Sequence, residues 1–489
     1  MLISVVVMGA TSFSSAQITN EYLKKQEAEK IKFERKQNED FKKFRKEYNE
    51  GINELDKDFK KYLKKEWKHY KLFKAETWQV TPKPDIIPEY KVPADKKPEK
   101  IDIKETEEPE NIIEKPVEPV FTTPPPKHET LKTCSFDFYG TNVSVEYDTS
   151  FSVSLPEETD EKIISTEWEK LSRSAYSSSL KQLFETKKKM SLNDWGYYLL
   201  IKDYSTARTN ARNERIFYQW FLLTRSNYKV RLAYKNSGLY LLMPSSNTIY
   251  EKPFFTFDGQ RYYLIDGDLN NIFTYDKDYP DANIIMDLNL YQPVNIGNSY
   301  KTKAVSFRSL DGKTHETNVK YSFNSIQFYK DYPLADIEIY FDAAVSDKAR
   351  QSLRNGLRPF ITNNNEFDAV SFLLSFVQNS FKYETDQQQF GREKIFFPEE
   401  LFYYPASDCE DRAVLFSHLV RRLTELKVVG VEYPRHMATA VKFNEDIEGD
   451  YITYNGEKYV ICDPTYVNAP VGATMPEYSG TKVKIVVLK

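Results

Sequence analysis

"YYPASDCEDRAVLFSHLVRRL", residues 403–423, reads as a loop that drops into a helix with a cysteine at the join. Ser407 predicts an N-cap, and Glu410 three residues on supplies the spacing of a capping box. Asp408 and Cys409 are then the first and second helical residues. Ala413, Phe416, Val420 and Leu423 follow as an apolar stripe at helical spacing. In a first turn, unpaired backbone N–H groups and the helix dipole favour an anion, which lowers a thiol's pKa and yields the nucleophilic thiolate. The carboxylates of Asp408, Glu410 and Asp411 oppose this. A free cysteine is also commonly a small buried hydrophobe. A nucleophile at Cys409 therefore needs a basic partner.

The next stretch supplies one. "VVGVEYPRHMATAVKF", residues 428–443, predicts a strand, a turn at Pro434 and a second strand opening at His436. "DYITYNGEKYVICDPTY", residues 450–466, predicts a hairpin turning at Asn455-Gly456, whose second strand ends at Cys462-Asp463-Pro464. The order is a cysteine on a helix start, a histidine on a strand and an aspartate at the end of the next. An imidazole is the group that takes a thiol proton, and a carboxylate fixes the imidazole's tautomer and stabilises its cation.

On the motifs "SDCEDRAVLF", "YPRHMATAV" and "YVICDPTY", the segment from Val377 to Gly472 resembles the transglutaminase-like family of the papain-like cysteine superfamily. The resemblance implies an α+β core, with a cysteine-bearing helix packed on an antiparallel sheet that bears the histidine and aspartate. It implies Cys409 as nucleophile, His436 as general base and acid, and Asp463 as the orienting carboxylate. It covers about a fifth of the chain densely. The chain departs from the animal cross-linking enzymes, whose "GQCW"-like motif is replaced by "SDCE". No glutamine stands shortly before Cys409 to act as a papain-type oxyanion donor; Tyr403 and Tyr404 fill that region. The backbone N–H of Cys409 is the first oxyanion donor expected. Gln378 is a weak candidate for the second and reads more simply as a solvated helix residue.

The rest of the 489-residue chain divides by composition. Residues 1–16 resemble a signal peptide, with an apolar run and Ser14-Ser15-Ala16 before Gln17, though without a basic start. No later run is long enough to span a bilayer, and no cysteine follows the apolar run to carry a lipid anchor. The expectation is an exported protein, in the periplasm, at the cell surface or outside. Residues 17–75 are rich in Lys and Glu. Their stripe of Phe41, Phe44, Tyr48, Ile52, Leu55, Phe59, Tyr62 and Tyr70 predicts an amphipathic helix or coiled coil able to oligomerise or contact a partner. Residues 76–130 hold eleven of the 24 prolines and predict an extended spacer.

The middle of the chain repeats the pattern of the end. "NERIFYQWFLLTRSNYKVRLAY", residues 213–234, parallels "CEDRAVLFSHLVRRLTELKVVGVEY", residues 409–433; "FDGQRYYLID", residues 257–266, parallels "YNGEKYVICD", residues 454–463. Asn213 to Asp266 and Cys409 to Asp463 are nearly equal separations. A helix precedes each, at "AYSSSLKQLFETKKK" and "FDAVSFLLSFVQNSF". Residues 131–275 are expected to be a degenerate copy of the fold. Asn213 stands at its nucleophile position, a residue near Leu239 or Tyr240 replaces His436, and no histidine falls between His128 and His315. Residues 276–345, with "ANIIMDLNLY", "KAVSFRSL" and "ADIEIYFDAAV", predict a β-rich connector to a catalytic domain at 346–489.

The net charge of −4 gives no electrostatic case for nucleic acid or anionic membrane. The 35 Tyr and 32 Phe suit the core and sheet faces first, and after these an exposed surface for peptide or sugar. Cys134 and Cys462 lie in different units, so no disulfide is expected, and no metal or cofactor is implied. The leading expectation is an exported cysteine enzyme that cleaves or transfers acyl or amide groups of a peptide or protein, hydrolysis favoured over transamidation. The alternative is a non-catalytic envelope or surface binding protein.

Overall fold

The computed structural model describes Lys36, Glu39, Lys43 and residues 50–77, 87–91, 97–107, 131–362 and 364–489. The expected signal peptide and nearly all of the N-terminal half of the expected coiled coil lie outside the described residues. The architecture is mixed α+β. No helix among the described residues is long and apolar enough to cross a membrane.

The helix Cys409–Leu423 forms as the apolar stripe demands, but it is capped one residue later than the sequence predicts. Asp408, not Ser407, is the N-cap, and Asp411, not Glu410, completes the capping box. Ser407 is otherwise engaged: its backbone pairs with Tyr383 in a two-residue parallel bridge, and its Oγ accepts from Arg412 Nε at 3.4 Å. Cys409 is therefore the first helical residue.

This helix packs on a six-stranded sheet whose spatial order is Tyr451–Tyr454, Glu457–Cys462, His436–Lys442, Lys427–Tyr433, Val483–Val487 and Ile103–Glu107. The Asn455-Gly456 hairpin forms as predicted, with both turn residues at positive φ. One face of the sheet meets the helix through Met437, Val441 and Val460. The other face carries a second core of Val429, Val431, Ala438, Ala440, Ile452 and Ile461.

The middle unit has a second six-stranded sheet, ordered Phe254–Phe257, Gln260–Leu264, Gly238–Pro244, Arg231–Lys235, Asn271–Thr274 and Lys68–Lys71. Strand for strand, this is the order of the first sheet. The one difference is the sixth strand: Lys68–Lys71 runs antiparallel to its neighbour, whereas Ile103–Glu107 runs parallel. The helix Arg212–Arg225 precedes this sheet as Cys409–Leu423 precedes the other.

Both sixth strands come from the N-terminal region, where the sequence leads to an amphipathic helix or coiled coil and then an extended spacer. Residues 50–63 are helical, and Phe59 is buried against Trp168, Trp220 and Tyr279 at centroid distances of 4.9, 6.2 and 5.1 Å. Asp56 pairs with buried Arg225 at 2.6 Å. Part of the expected spacer is a strand: "IDIKETE", residues 101–107, has no proline, and its Ile101 and Ile103 turn onto the second core. The connector is also less β-rich than predicted. "KAVSFRSL" belongs to a long hairpin, Tyr300–Arg308 with Thr314–Ser322, but "ADIEIYFDAAV" forms the short helix Ile337–Phe341.

Candidate functional site

His436 and Asp463 meet directly, and Cys409, at the start of its helix, reaches the backbone of the residue after His436. His436 opens its strand opposite Tyr433 across a two-residue turn, and its Nε2 lies 2.7 Å from Asp463 Oδ2. With Nε2–H donating to the carboxylate, the lone pair stands on Nδ1, which is buried and has no hydrogen-bond partner. Cys409 Sγ accepts from the backbone N–H of Met437, the residue after His436, at 3.4 Å. The sulfur thus sits at the opening of the histidine's own strand. Asp463 is further held by two backbone donors, Thr465 N–H at 2.9 Å and Tyr466 N–H at 3.2 Å, on Oδ1.

The site is closed. Cys409 and His436 are 0% exposed and Asp463 3%. The Tyr478 ring lies parallel to the His436 imidazole, 4° between planes and 5.3 Å between centroids, with Tyr433 packed on Tyr478 at 4.9 Å. Gln378 is neither solvated nor an oxyanion donor. It is buried, and its Nε2 donates to the carbonyls of Asp463, Tyr466 and Ala469 at 3.0, 2.8 and 3.1 Å. It pins the turn that carries Asp463.

The helix start does not depress the thiol pKa. Burial, followed by the charges of Glu410 and Asp408, pushes Cys409 well above its ordinary value. Its S–H donates to Glu410 Oε2 at 3.1 Å. Around it, Asp408, Glu410 and Asp411 are also raised well above the carboxylate range by burial and mutual repulsion, and Asp386 is pushed up to about 9 for the same reasons.

The loop before the helix is drawn to these acids through its backbone. Asp386 N–H donates to Asp408 Oδ2 at 3.1 Å and Phe396 N–H to Asp411 Oδ1 at 2.8 Å. One carboxylate oxygen each from Asp386, Asp408 and Glu410 lies within 4.8 Å of the others. Asp386 Oδ1, Asp408 Oδ1 and Glu410 Oε1 receive no hydrogen bond. An all-oxygen set of this kind suits a hard cation, and shared protons would relieve the same repulsion. Asp386 lies far from Asp408 and Glu410 in the chain, so the sequence, which implies no metal, does not point to this group.

No family model, curated protein or solved structure matches the chain.

Arg412, also absent from the sequence reading, is the fully buried cation beside the acids. It donates to the carbonyls of Phe381 at 2.7 Å and Gln378 at 3.4 Å, and burial pulls its pKa down to about 10. The signal was present in "DCEDR": an arginine on an otherwise apolar helix face is seldom buried without a task. Cys462 and Cys134 are buried free thiols, both raised by burial.

The middle unit repeats this geometry without the cysteine and the histidine. Leu239 N–H donates to Asn213 Oδ1 at 3.0 Å, as Met437 N–H does to Cys409 Sγ. Lys235 pairs with Gly238 as Tyr433 pairs with His436, so the histidine's counterpart is Gly238, one residue before the expected Leu239 or Tyr240. Leu242 faces Leu264 as Ala440 faces Ile461, which places Asp266 at the position of Asp463. A Cβ on Gly238 would meet Tyr240 Oη at 3.1 Å and Arg212 Nη1 at 3.2 Å, so these two side chains fill the space an imidazole would need.

Proposed function

We propose that the chain is a cysteine-dependent enzyme acting on acyl or amide bonds of a peptide or protein, with the transglutaminase-like fold in its C-terminal unit. The observation that carries this reading is the 2.7 Å His436–Asp463 hydrogen bond, which leaves Nδ1 without a partner, while Cys409 Sγ sits on the backbone N–H of the next residue, Met437. In the reaction, His436 Nδ1 takes the thiol proton as Sγ attacks the carbonyl carbon. The C–N bond breaks as the leaving amine takes that proton, and a thioacyl intermediate remains. Water, activated by the same nitrogen, attacks it and releases a carboxylate and the thiol; an amine in place of water gives transamidation. Hydrolysis is the favoured outcome. Export, as residues 1–16 suggest, places the substrate in the envelope or outside the cell.

The middle unit is, in this reading, an inactive copy of the catalytic one. The shared strand order and the matched positions Asn213, Gly238 and Asp266 support it. A second reading, a non-catalytic binding protein, draws on the raised thiol and the sealed site.

Incubation with a mixed peptide library, read by mass spectrometry, tests between them. New termini or isopeptide links that vanish in Cys409→Ala and in His436→Ala support the enzyme. Turnover that persists in Cys409→Ala excludes it.

A further inference from the structure

Cys409 and His436 are fully buried, so no substrate reaches them in the conformation described. The element that closes them is identifiable. Residues 464–482 follow Asp463, lie over the second face of the sheet and carry Tyr478 onto the His436 ring. A short 3-10 turn, Pro476–Tyr478, is the one regular element in this loop.

Two described pieces of the N-terminal region, residues 87–91 and 97–107, form a strap that holds the loop at both ends. At its start, Tyr90 N–H donates to Val467 O at 2.9 Å, Val467 N–H donates to Pro88 O at 3.0 Å, and the Tyr90 ring meets Tyr466 edge-on at 5.4 Å. At its end, the Glu99 carboxylate accepts from Ser479 Oγ at 2.6 Å and from Gly480 N–H at 2.8 Å, the two residues that follow Tyr478. Glu99 is itself fixed by its backbone, N–H to Asp450 Oδ1 at 2.9 Å and carbonyl to Tyr451 N–H at 3.0 Å. The strand Ile103–Glu107 then anchors the strap to the sheet edge.

The strap is therefore bonded to both flanks of a tyrosine that covers the proposed general base. We propose that it is an autoinhibitory latch: Glu99 holds the 464–482 loop shut over Cys409 and His436, and the chain is latent until that contact is released. The proposal rests on the enzyme reading above for its meaning, though not for its test. Charge-assisted bonds from a carboxylate to a hydroxyl and a backbone N–H are among the stronger single contacts available to a loop. Their loss raises the population of the open form without touching the catalytic residues.

The test is the rate of alkylation by iodoacetamide in the full chain under native conditions, read separately at Cys409, Cys134 and Cys462 by peptide mapping. The wild type should label slowly at all three. Glu99→Ala should label about tenfold faster or more at Cys409 while Cys134 and Cys462 keep their rates. Tyr478→Ala should accelerate Cys409 in the same selective way. Rapid labelling of Cys409 in the wild type would overturn the latch. So would an unchanged Cys409 rate in either variant, or parallel acceleration of all three thiols. A Glu99→Ala chain that does not fold makes the strap a structural strut and overturns it too.

Failure of the enzyme reading looks different. If Cys409 in Glu99→Ala labels equally fast with and without His436→Ala, the imidazole does not activate the thiol, and the latch still stands.

Discussion

Replacing Gln378 by Leu should loosen the aspartate turn and with it the histidine. The side chain is 2% exposed, and a single amide nitrogen serves three carbonyls, those of Asp463, Tyr466 and Ala469. Two N–H bonds shared among three acceptors are lost, and the carbonyls stay buried with no new donor. Two unsatisfied buried acceptors cost about 1–3 kcal/mol each, and the added apolar surface of leucine returns about 1 kcal/mol, so the net loss is about 1–5 kcal/mol. Gln378 Oε1 has no donor in the wild type, so nothing further is forfeited on that side. For a chain of this size the loss lowers Tm by roughly 1–5 °C. Urea unfolding followed by far-UV circular dichroism measures the stability. Hydrogen exchange at Thr465 and Tyr466, whose amides cap Asp463 Oδ1, measures the local turn. Gln378→Leu within about 0.5 kcal/mol of wild type, the range of an inert surface change, with unaltered exchange at those amides, would refute the claim that this residue holds the site.

Four further outcomes are expected. His418 is buried beside Arg421, Arg422 and Arg350, and burial first, then those charges, depress it to about 3. The unfolded imidazole binds its proton near pH 6.5 and the folded one does not, so stability should fall as pH drops below that value, by about 2 kcal/mol at pH 5; His418→Gln should flatten the slope. Glu399 has the opposite sign. Burial raises it to about 7 against the donors Ser346 and Ser322, so the native state holds the extra proton and stability should decline as pH rises from about 4.5 to 7. Glu399→Gln, measured by urea titration at pH 5 and 8, should remove a loss of about 3 kcal/mol at the higher pH. Phe59→Ala should cost about 3–5 kcal/mol and release residues 50–63 to limited proteolysis, because Phe59 fills an aromatic pocket in the middle unit. Cys409→Ala should abolish any turnover and, since Cys409 is wholly buried, also shift stability measurably; an unchanged Tm would argue against the packing described.

The three residues of the site were legible because each falls at an element boundary: a helix start, the far side of a two-residue turn, and the end of a hairpin strand. Their pairing follows from strand order, which short alternating runs and Asn455-Gly456 specify. The cap was misplaced by one residue because Ser407 spends its backbone on Tyr383, a contact from a distant loop that local spacing does not report. Asp386 was invisible for the same reason: it meets Asp408 only when the intervening loop folds back. Gln378 was read as solvated because its helix face looks polar in isolation; what buries it is the Asp463–Ala469 turn. "ADIEIYFDAAV" alternates like a strand yet is helical, since so short an apolar run fits either period. The strand at Ile101–Glu107 was hidden by composition: the prolines around it set the reading of the whole stretch, and the alternation of Ile101 and Ile103 within it was outweighed.

That each six-stranded sheet borrows its last strand from the N-terminal region has a consequence for how the chain is made. Strands Lys68–Lys71 and Ile103–Glu107 leave the ribosome before any other strand of either sheet. Their partners, Asn271–Thr274 and Val483–Val487, are synthesised long afterwards, and the Glu99–Gly480 bond spans 381 residues. Contacts of such sequence separation are slow to form, and unpaired strands are prone to wrong partners while they wait. The cysteine-bearing unit thus cannot complete its sheet as an autonomous piece during translation. Its edge closes only when Ile103–Glu107 meets Val483–Val487, so assembly of the site waits until that late strand has been made.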